Sequence, residues 1–270
     1  MNLEHKKRWI SALLGLALLL AVYFSLRHQG VVLITVVISV IAYYEFLIFS
    51  GAGAASRWFS LLVGFALSTW LCFSLPGGLE AVYLSILAVL LCGLWRVHSN
   101  GAEALAGEFQ LTQSRVFGLV YLVIFTSFVP KVHDLPHGPA LLLFIIGIVW
   151  LGDIGAFYGG KTLGRHKLSP IVSPGKTLEG AFSGLLSCAF WAAVYGSWAL
   201  PHLPLWKLVV VAILSSIVAQ AGDLLESLMK RAYSVKDSGG LIPGHGGVFD
   251  RFDSLILVAP FFYLLLRLST

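Results

Sequence analysis

Apolar residues fall in long runs along this chain, separated by short polar connections. The runs are Trp9–Leu26, Val31–Phe49, Trp58–Leu75, Ala81–Trp95, Val116–Val129, Ala140–Tyr158, Ala181–Leu200, Leu205–Ala221 and Leu255–Leu268. A helix that crosses the hydrocarbon core needs about 20 apolar residues at about 1.5 Å each. The pattern therefore predicts an all-α fold, a polytopic integral membrane protein with nine transmembrane helices. The fourth, fifth and ninth runs are short, so they must be extended by flanking polar turns, tilt little, or re-enter. A basic cluster, His5 to Arg8, precedes the first run. No small-x-small cleavage site follows it convincingly, which predicts a retained first span rather than a signal peptide.

The distribution of charge orients these spans. With the N-terminus in the cytoplasm and nine alternating crossings, 14 of the 18 Lys and Arg residues fall inside. Arg27, Lys131, Lys207 and Arg267 fall outside. The positive-inside rule favours that arrangement. Composition agrees with the class: 58% of residues are hydrophobic and only 11% charged, against about 25% charged in soluble domains. The net charge of +5 sits in loops between apolar segments. It therefore suits anionic head groups and phosphorylated substrates, and nucleic acid is not expected as a partner. Cys72, Cys92 and Cys188 match no metal-binding spacing and read as small buried hydrophobes. Asn100 to Ser114 reads as a short surface helix without evident function. The chain is expected to divide into N-terminal transmembrane helices, 1–140, and a C-terminal region with cytoplasm-facing polar loops, 141–270.

Two polar islands interrupt the apolar pattern. The larger, Gly222 to Ser254, reads GDLLESLMKRAYSVKDSGGLIPGHGGVFDRFDS. Asp223, Glu226, Ser227, Lys230 and Arg231 share one helical face, acidic first and basic afterwards, which suits the helix dipole. Ion pairs between turns of a solvated face would look the same. Gly239-Gly240 and Pro243-Gly244-His245-Gly246-Gly247 then break the helix. Five glycines in nine residues allow close backbone approach to a ligand, or simply a turn. Asp223 and Asp250 stand at the two ends of this loop and can share one metal. Hard cations such as Mg²⁺ take carboxylate and phosphate oxygens.

The smaller island follows Ala140–Tyr158. Asp153 lies inside an apolar run, where an ionisable group is a functional candidate, with a helix–helix hydrogen bond or a lysine partner as the alternative. Gly159-Gly160-Lys161 and Gly164-Arg165-His166-Lys167 mix glycines with cations, a pattern suited to phosphate contact and shared by ordinary cytoplasmic loops. Gly175-Lys176-Thr177 is not a P-loop, because Pro170 stands where the first glycine is required. Ser173 as cap and Pro174 in the first turn predict a helix start there. Lys176 would then oppose the dipole and hint at a bound anion, although Glu179 can offset its charge.

The run Ser227 to Asp253 resembles the signature of the phosphatidate cytidylyltransferases, or CDP-diacylglycerol synthases. Ser227, Lys230, Arg231, Lys236, Asp237, Pro243, His245, Gly246, Gly247, Asp250, Arg251 and Asp253 sit where that signature places them. Asp153, Ser173, Pro174, Lys176, Thr177, Glu179 and Gly180 are similar to a second region of the family, from which Gly175 and Leu178 depart. The resemblance covers Gly152 to Ser254. It implies cytidylyl transfer from CTP to phosphatidic acid within a membrane, with Mg²⁺ as cofactor and room for a second metal ion. A homodimer is left open.

On this reading Asp223 and Asp250 are the first candidates for metal ligands, with Glu226, Asp237 and Asp253 as second choices or orienting groups. Lys176, Lys230, Arg231, Lys236 and Arg251 are expected to meet phosphates. Asp153, Ser173 and Thr177 join them as substrate-binding candidates. His245 would hydrogen-bond a phosphate or protonate the leaving pyrophosphate, unless it only pins the loop. A transporter of an anionic solute is the main rival, since it would also carry an intramembrane carboxylate and glycine-broken helices. Internal repeats, which such a transporter should show, are not evident. A CDP-alcohol phosphatidyltransferase would carry D-G-x-x-A-R followed by G-x-x-x-D-x-x-x-D, which is absent.

Overall fold

A computed structural model describes residues 17, 19–240 and 246–268. Of the first predicted span, residues 19–26 are described and are helical. The basic cluster before it lies outside the described residues. The helices that follow are α1 (His28–Phe49), α2 (Ala54–Cys72), α3 (Gly78–Asn100), α4 (Leu105–Gly118), α5 (Phe128–His133), α6 (Gly138–Leu163), α7 (Leu178–Ala199), α8 (Leu205–Ala232) and α9 (Phe249–Leu268). A π-turn over Leu119–Ile124 links α4 towards α5. Every predicted run from the second onward thus has its helix. The three short runs are lengthened by their flanks. The fourth becomes the 23 residues of α3, the fifth the 29 residues Leu105–His133, and the ninth the 20 residues of α9. Among the described residues, six helical segments are long and apolar enough to cross a membrane: α1, α3, Leu105–His133, α6, α7 and α8.

The chain forms two compact units, one of Met1–Pro130 with Val235–Arg251, the other of Lys131–Ser234 with Phe252–Thr270. The glycine-rich loop and the first turn of α9 thus group with the N-terminal helices.

In the first unit, Tyr43, Phe46, Leu47, Leu119, Leu122, Val123 and Phe249 form a buried core. Phe249 stacks parallel on Phe49, with ring centroids 6.4 Å apart. Several polar groups on the apolar helices find partners inside the unit, as a membrane interior favours. Ser39 and Ser68 hydrogen-bond at 2.7 Å between α1 and α2, and the Tyr43 hydroxyl donates to the Arg115 carbonyl at 2.9 Å. The stretch after Asn100 differs from the expected surface helix. Glu108 is buried, accepts from Arg96 Nη2 at 2.8 Å and Arg115 Nη2 at 3.3 Å, and also takes the Asn100 amide. Arg115 is fully buried. This is a structural ion network clamping α3 to α4, and it explains why charged residues stand so near apolar runs.

In the second unit, α6 and α7 pack along a seam of small residues. Cβ atoms added at Gly155 or Gly159 would strike Ser187 or Ser183, and Gly152 sits against Cys188. Small residues spaced this way bring helix backbones together where lipid gives no hydrophobic drive. The Trp191 indole donates to the Phe144 carbonyl at 3.0 Å, and Gln220 Nε2 of α8 donates to the Ala181 carbonyl at 3.1 Å.

The strands are few. β1 (Lys167–Ser169) pairs antiparallel with β2 (Ser173–Thr177), Lys167 opposite Thr177 and Ser169 opposite Ser173. Ser173 and Pro174 therefore do not start a helix. The α7 cap is Thr177, in extended conformation, whose hydroxyl accepts from the Gly180 N–H at 3.1 Å. Ser173 and Thr177 offer the same capping chemistry, and the hairpin pairing decides between them.

Candidate active site

The second unit assembles an acidic and basic cluster from α6, β2, α8 and α9. Asp223 and Glu226 lie one turn apart on α8, which runs on to Ala232 and so carries the charged face predicted from spacing. Gly222 lets α9 approach. A Cβ there would stand 3.1 Å from the Asp253 carbonyl and 3.3 Å from Leu257 Cβ. That close approach brings the Asp253 carboxylate alongside the other two. Oxygens of Asp223, Glu226 and Asp253 all lie within 4.8 Å of one another. Three carboxylates at such separations repel unless cations share the space. Two lysines do so. Lys176 Nζ is 2.5 Å from Asp223 Oδ2, and Lys230 Nζ is 2.7 Å from Glu226 Oε1, one turn along the helix. Glu226 is buried, at 1% exposure. Asp153 of α6 is near enough to interact electrostatically with Asp223 and Lys176, and Asp253 with all three.

The hairpin is what delivers Lys176. Glu179, in the first turn of α7, accepts from the Arg165 N–H at 3.0 Å and the His166 N–H at 3.2 Å, and meets His166 Nδ1 at 2.6 Å. These contacts fasten the start of β1 to the start of α7, and β2 lies between them in sequence. Lys176 therefore stands on a strand beside Asp223, not in a first helical turn, and its proximity to an acid replaces the dipole argument. Ser173 and Thr177 belong to the same strand, with Thr177 engaged as the α7 cap.

In the first unit, Asp250 accepts from the Gly247 N–H at 2.9 Å and the Ser238 N–H at 3.1 Å. It thus ties the two flanks of the glycine-rich loop together. Arg231, Lys236, Asp237 and Arg251 are exposed. His245 lies outside the described residues. Among the described residues, the carboxylates gathered with Asp223 are Glu226 and Asp253, two of the three second choices of the sequence reading.

One residue escaped the sequence reading. Glu45 of α1, 2% exposed, accepts from the Ser238 hydroxyl at 3.1 Å, the Val248 N–H at 3.0 Å and the Phe249 N–H at 2.9 Å. Its signal was present: an ionisable group within a 22-residue apolar helix is functional or paired by default.

A group of three carboxylates, one buried and two partly exposed, fits a hard divalent cation in donor type and spacing. Lysines beside it can meet the remaining phosphate charge. The chain is similar to phosphatidate cytidylyltransferases of known sequence. It is 45% identical to that of Staphylococcus epidermidis over 130 residues, 48% of this chain and 50% of the relative. It is 42% identical to that of Bacillus subtilis over 132 residues, 49% of each, and 43% identical to that of Staphylococcus aureus over 130 residues, 48% and 50%. The chain spans about half the length of the curated relatives it matches. The sequence model of the cytidylyltransferase family matches residues 6–269, nearly end to end, and the chain belongs to that family.

Proposed function

We propose that this chain transfers the cytidylyl group of CTP to phosphatidic acid, giving CDP-diacylglycerol and pyrophosphate, at the cytoplasmic face of a bacterial inner membrane. The observation that carries the reading is the cluster of Asp223, Glu226 and Asp253 with Lys176 and Lys230 at the end of apolar helices. The name borne by the relatives supports the choice of nucleotide and lipid.

A lipid phosphate oxygen attacks the α-phosphorus of CTP. The bond from that phosphorus to the bridging oxygen of the β-phosphate breaks, and pyrophosphate leaves with the electron pair. The nucleophile is already anionic, so the protein's task is to align two anions and to balance their charge. Asp223, Glu226 and Asp253 would hold Mg²⁺, which when bound supplies charge neutralisation to phosphate oxygens. Lys176 and Lys230, now held by Asp223 and Glu226, can turn to phosphate groups as these enter. Arg231, exposed next to Lys230 on α8, is a further cation for phosphate. The excess of Lys and Arg in the loops read as inside supports a site on the side where nucleoside triphosphates are found.

Purified full-length protein, incubated with phosphatidic acid, Mg²⁺ and each labelled nucleoside triphosphate in turn, tests this reading. CTP should yield CDP-diacylglycerol with one pyrophosphate per lipid product. Saturable binding of a phosphorylated solute without turnover, with flux into proteoliposomes, would instead establish a transporter.

A further inference from the structure

Glu45 and the glycine-rich loop are far apart in sequence, 193 residues to Ser238 and 204 to Phe249. Both belong to the first unit. The carboxylate takes one side-chain and two backbone donors, all buried or nearly so. Hydrogen bonds to an ionised acceptor are about twice as strong as neutral ones. The two backbone donors come from the start of α9, where N–H groups lack intrahelical partners. A negative charge is favoured there by the helix dipole. The third donor, the Ser238 hydroxyl, belongs to the other flank of the loop. Glu45 therefore grips both flanks, and Asp250 ties the same flanks through Ser238 and Gly247.

The glycines fit the same picture. A Cβ on Gly239 would lie 2.7 Å from Glu45 Oε1. A Cβ on Gly247 would lie 2.5 Å from Glu45 Oε2 and strike the Ser238 hydroxyl. At these two positions the loop lacks side chains because its backbone is pressed against Glu45. Among the described glycines of the loop, Gly246 needs glycine for its conformation, with φ +79.

We propose that Glu45 is a positioning residue for the transfer reaction, which seats the two flanks of the glycine-rich loop and so fixes the backbone that carries Arg251, a candidate phosphate contact. The inference rests on the proposed cytidylyl transfer. A bilayer-embedded helix supplies a rigid anchor for Ser238, Val248 and Phe249, the described flanks of the loop. Misplacing a reacting arrangement by about 1 Å can cost about a hundredfold in rate.

The test uses full-length protein in detergent or nanodiscs, with Glu45→Gln, Glu45→Leu and Gly239→Ala. Glu45→Gln keeps one acceptor oxygen. Its kcat should fall about tenfold, and that of Glu45→Leu about a hundredfold, with KM for CTP and for lipid moving less than about threefold. Gly239→Ala presses on the same carboxylate from the loop side and should fall with them. Amide hydrogen exchange over residues 235–251 should quicken in all three, while exchange in α2 and α3 stays at the parent rate. A carboxylate that only stabilised the fold would lower the melting temperature and leave kcat per folded molecule unchanged. That result, or unchanged exchange in the loop flanks, overturns the proposal. A parent protein that makes no CDP-diacylglycerol sinks the proposed function instead, and exchange, which needs no substrate, still decides whether Glu45 holds the loop.

Discussion

Lys176 Nζ stands 2.5 Å from Asp223 Oδ2, with about a quarter of the lysine side chain and a third of the aspartate side chain exposed. The lysine arrives on a strand and the aspartate on a helix, so the pair joins the hairpin to α8. Any cation held by Asp223 must share that carboxylate with an ammonium group. Lys176→Met should therefore tighten divalent-cation binding about two- to fivefold, the range expected for a partly exposed ion pair. It should also lower cytidylyl transfer by at least about tenfold, since a phosphate contact is lost. Titration calorimetry with Mn²⁺ in the absence of nucleotide checks the first part, and unchanged affinity would remove Lys176 from competition for Asp223.

The shared-metal reading of Asp223 and Asp253 predicts non-additive losses. Each of Asp223→Asn and Asp253→Asn should cut activity by about a hundredfold or more, because a bound metal supplies several kcal/mol of charge stabilisation. The double variant should be little worse than either alone, since both residues serve one unit. Rates across a Mg²⁺ titration, with folding followed by gel filtration in detergent, provide the measurement. A well-folded single variant that keeps more than about a tenth of parent activity at saturating Mg²⁺ takes that residue out of the ligand set. Glu226→Gln also disturbs the pair with Lys230 and is the less clean test.

The network around Glu108 predicts a loss of stability rather than of chemistry. Its carboxylate balances Arg96 and the fully buried Arg115. Glu108→Ala leaves buried guanidinium charge without its counter-charge, a change that costs about 3–5 kcal/mol. The thermal midpoint in detergent should drop sharply and the yield of monodisperse protein should fall. A variant that melts with the parent would show that Arg115 finds an equivalent acceptor elsewhere.

The helices were legible in the sequence because a lipid-facing segment must be apolar along its whole length and must close its own backbone hydrogen bonds. The hairpin was not. Ser173-Pro174 carries capping and first-turn chemistry, and only the pairing of Lys167 with Thr177 shows that the chain stays extended to the next capping residue. Asp223 and Glu226 were readable as neighbours from helical spacing. That Asp253 joins them depends on Gly222 admitting α9 to α8, a contact no local pattern announces. Five glycines in a row of nine suggested approach to a ligand, whereas Gly239 and Gly247 lie against Glu45. Single charges within apolar runs were the signal passed over: Glu45 and Arg115 both sit in segments read only as spans or their edges.

The last prediction concerns sidedness. Lys131, in α5, precedes α6 and Lys167, in β1, follows it; α6 has 26 residues and is about 39 Å long at 1.5 Å per residue. That length exceeds the hydrocarbon core of about 30 Å, so the two lysines should face opposite aqueous phases. The division of Lys and Arg, 14 to 4 for nine alternating spans, predicts which is which. Lys167, with Lys236, should face the cytoplasm and Lys131 the outside. Single cysteines at the three positions, in a background from which Cys72, Cys92 and Cys188 have been removed, can be probed with a membrane-impermeant maleimide. In intact cells the reagent should label position 131, and positions 167 and 236 should react only after the membrane is opened. Because the proposed reaction draws CTP from the cytoplasm, strong labelling at 167 or 236 from outside would overturn both the orientation and the access route on which it depends.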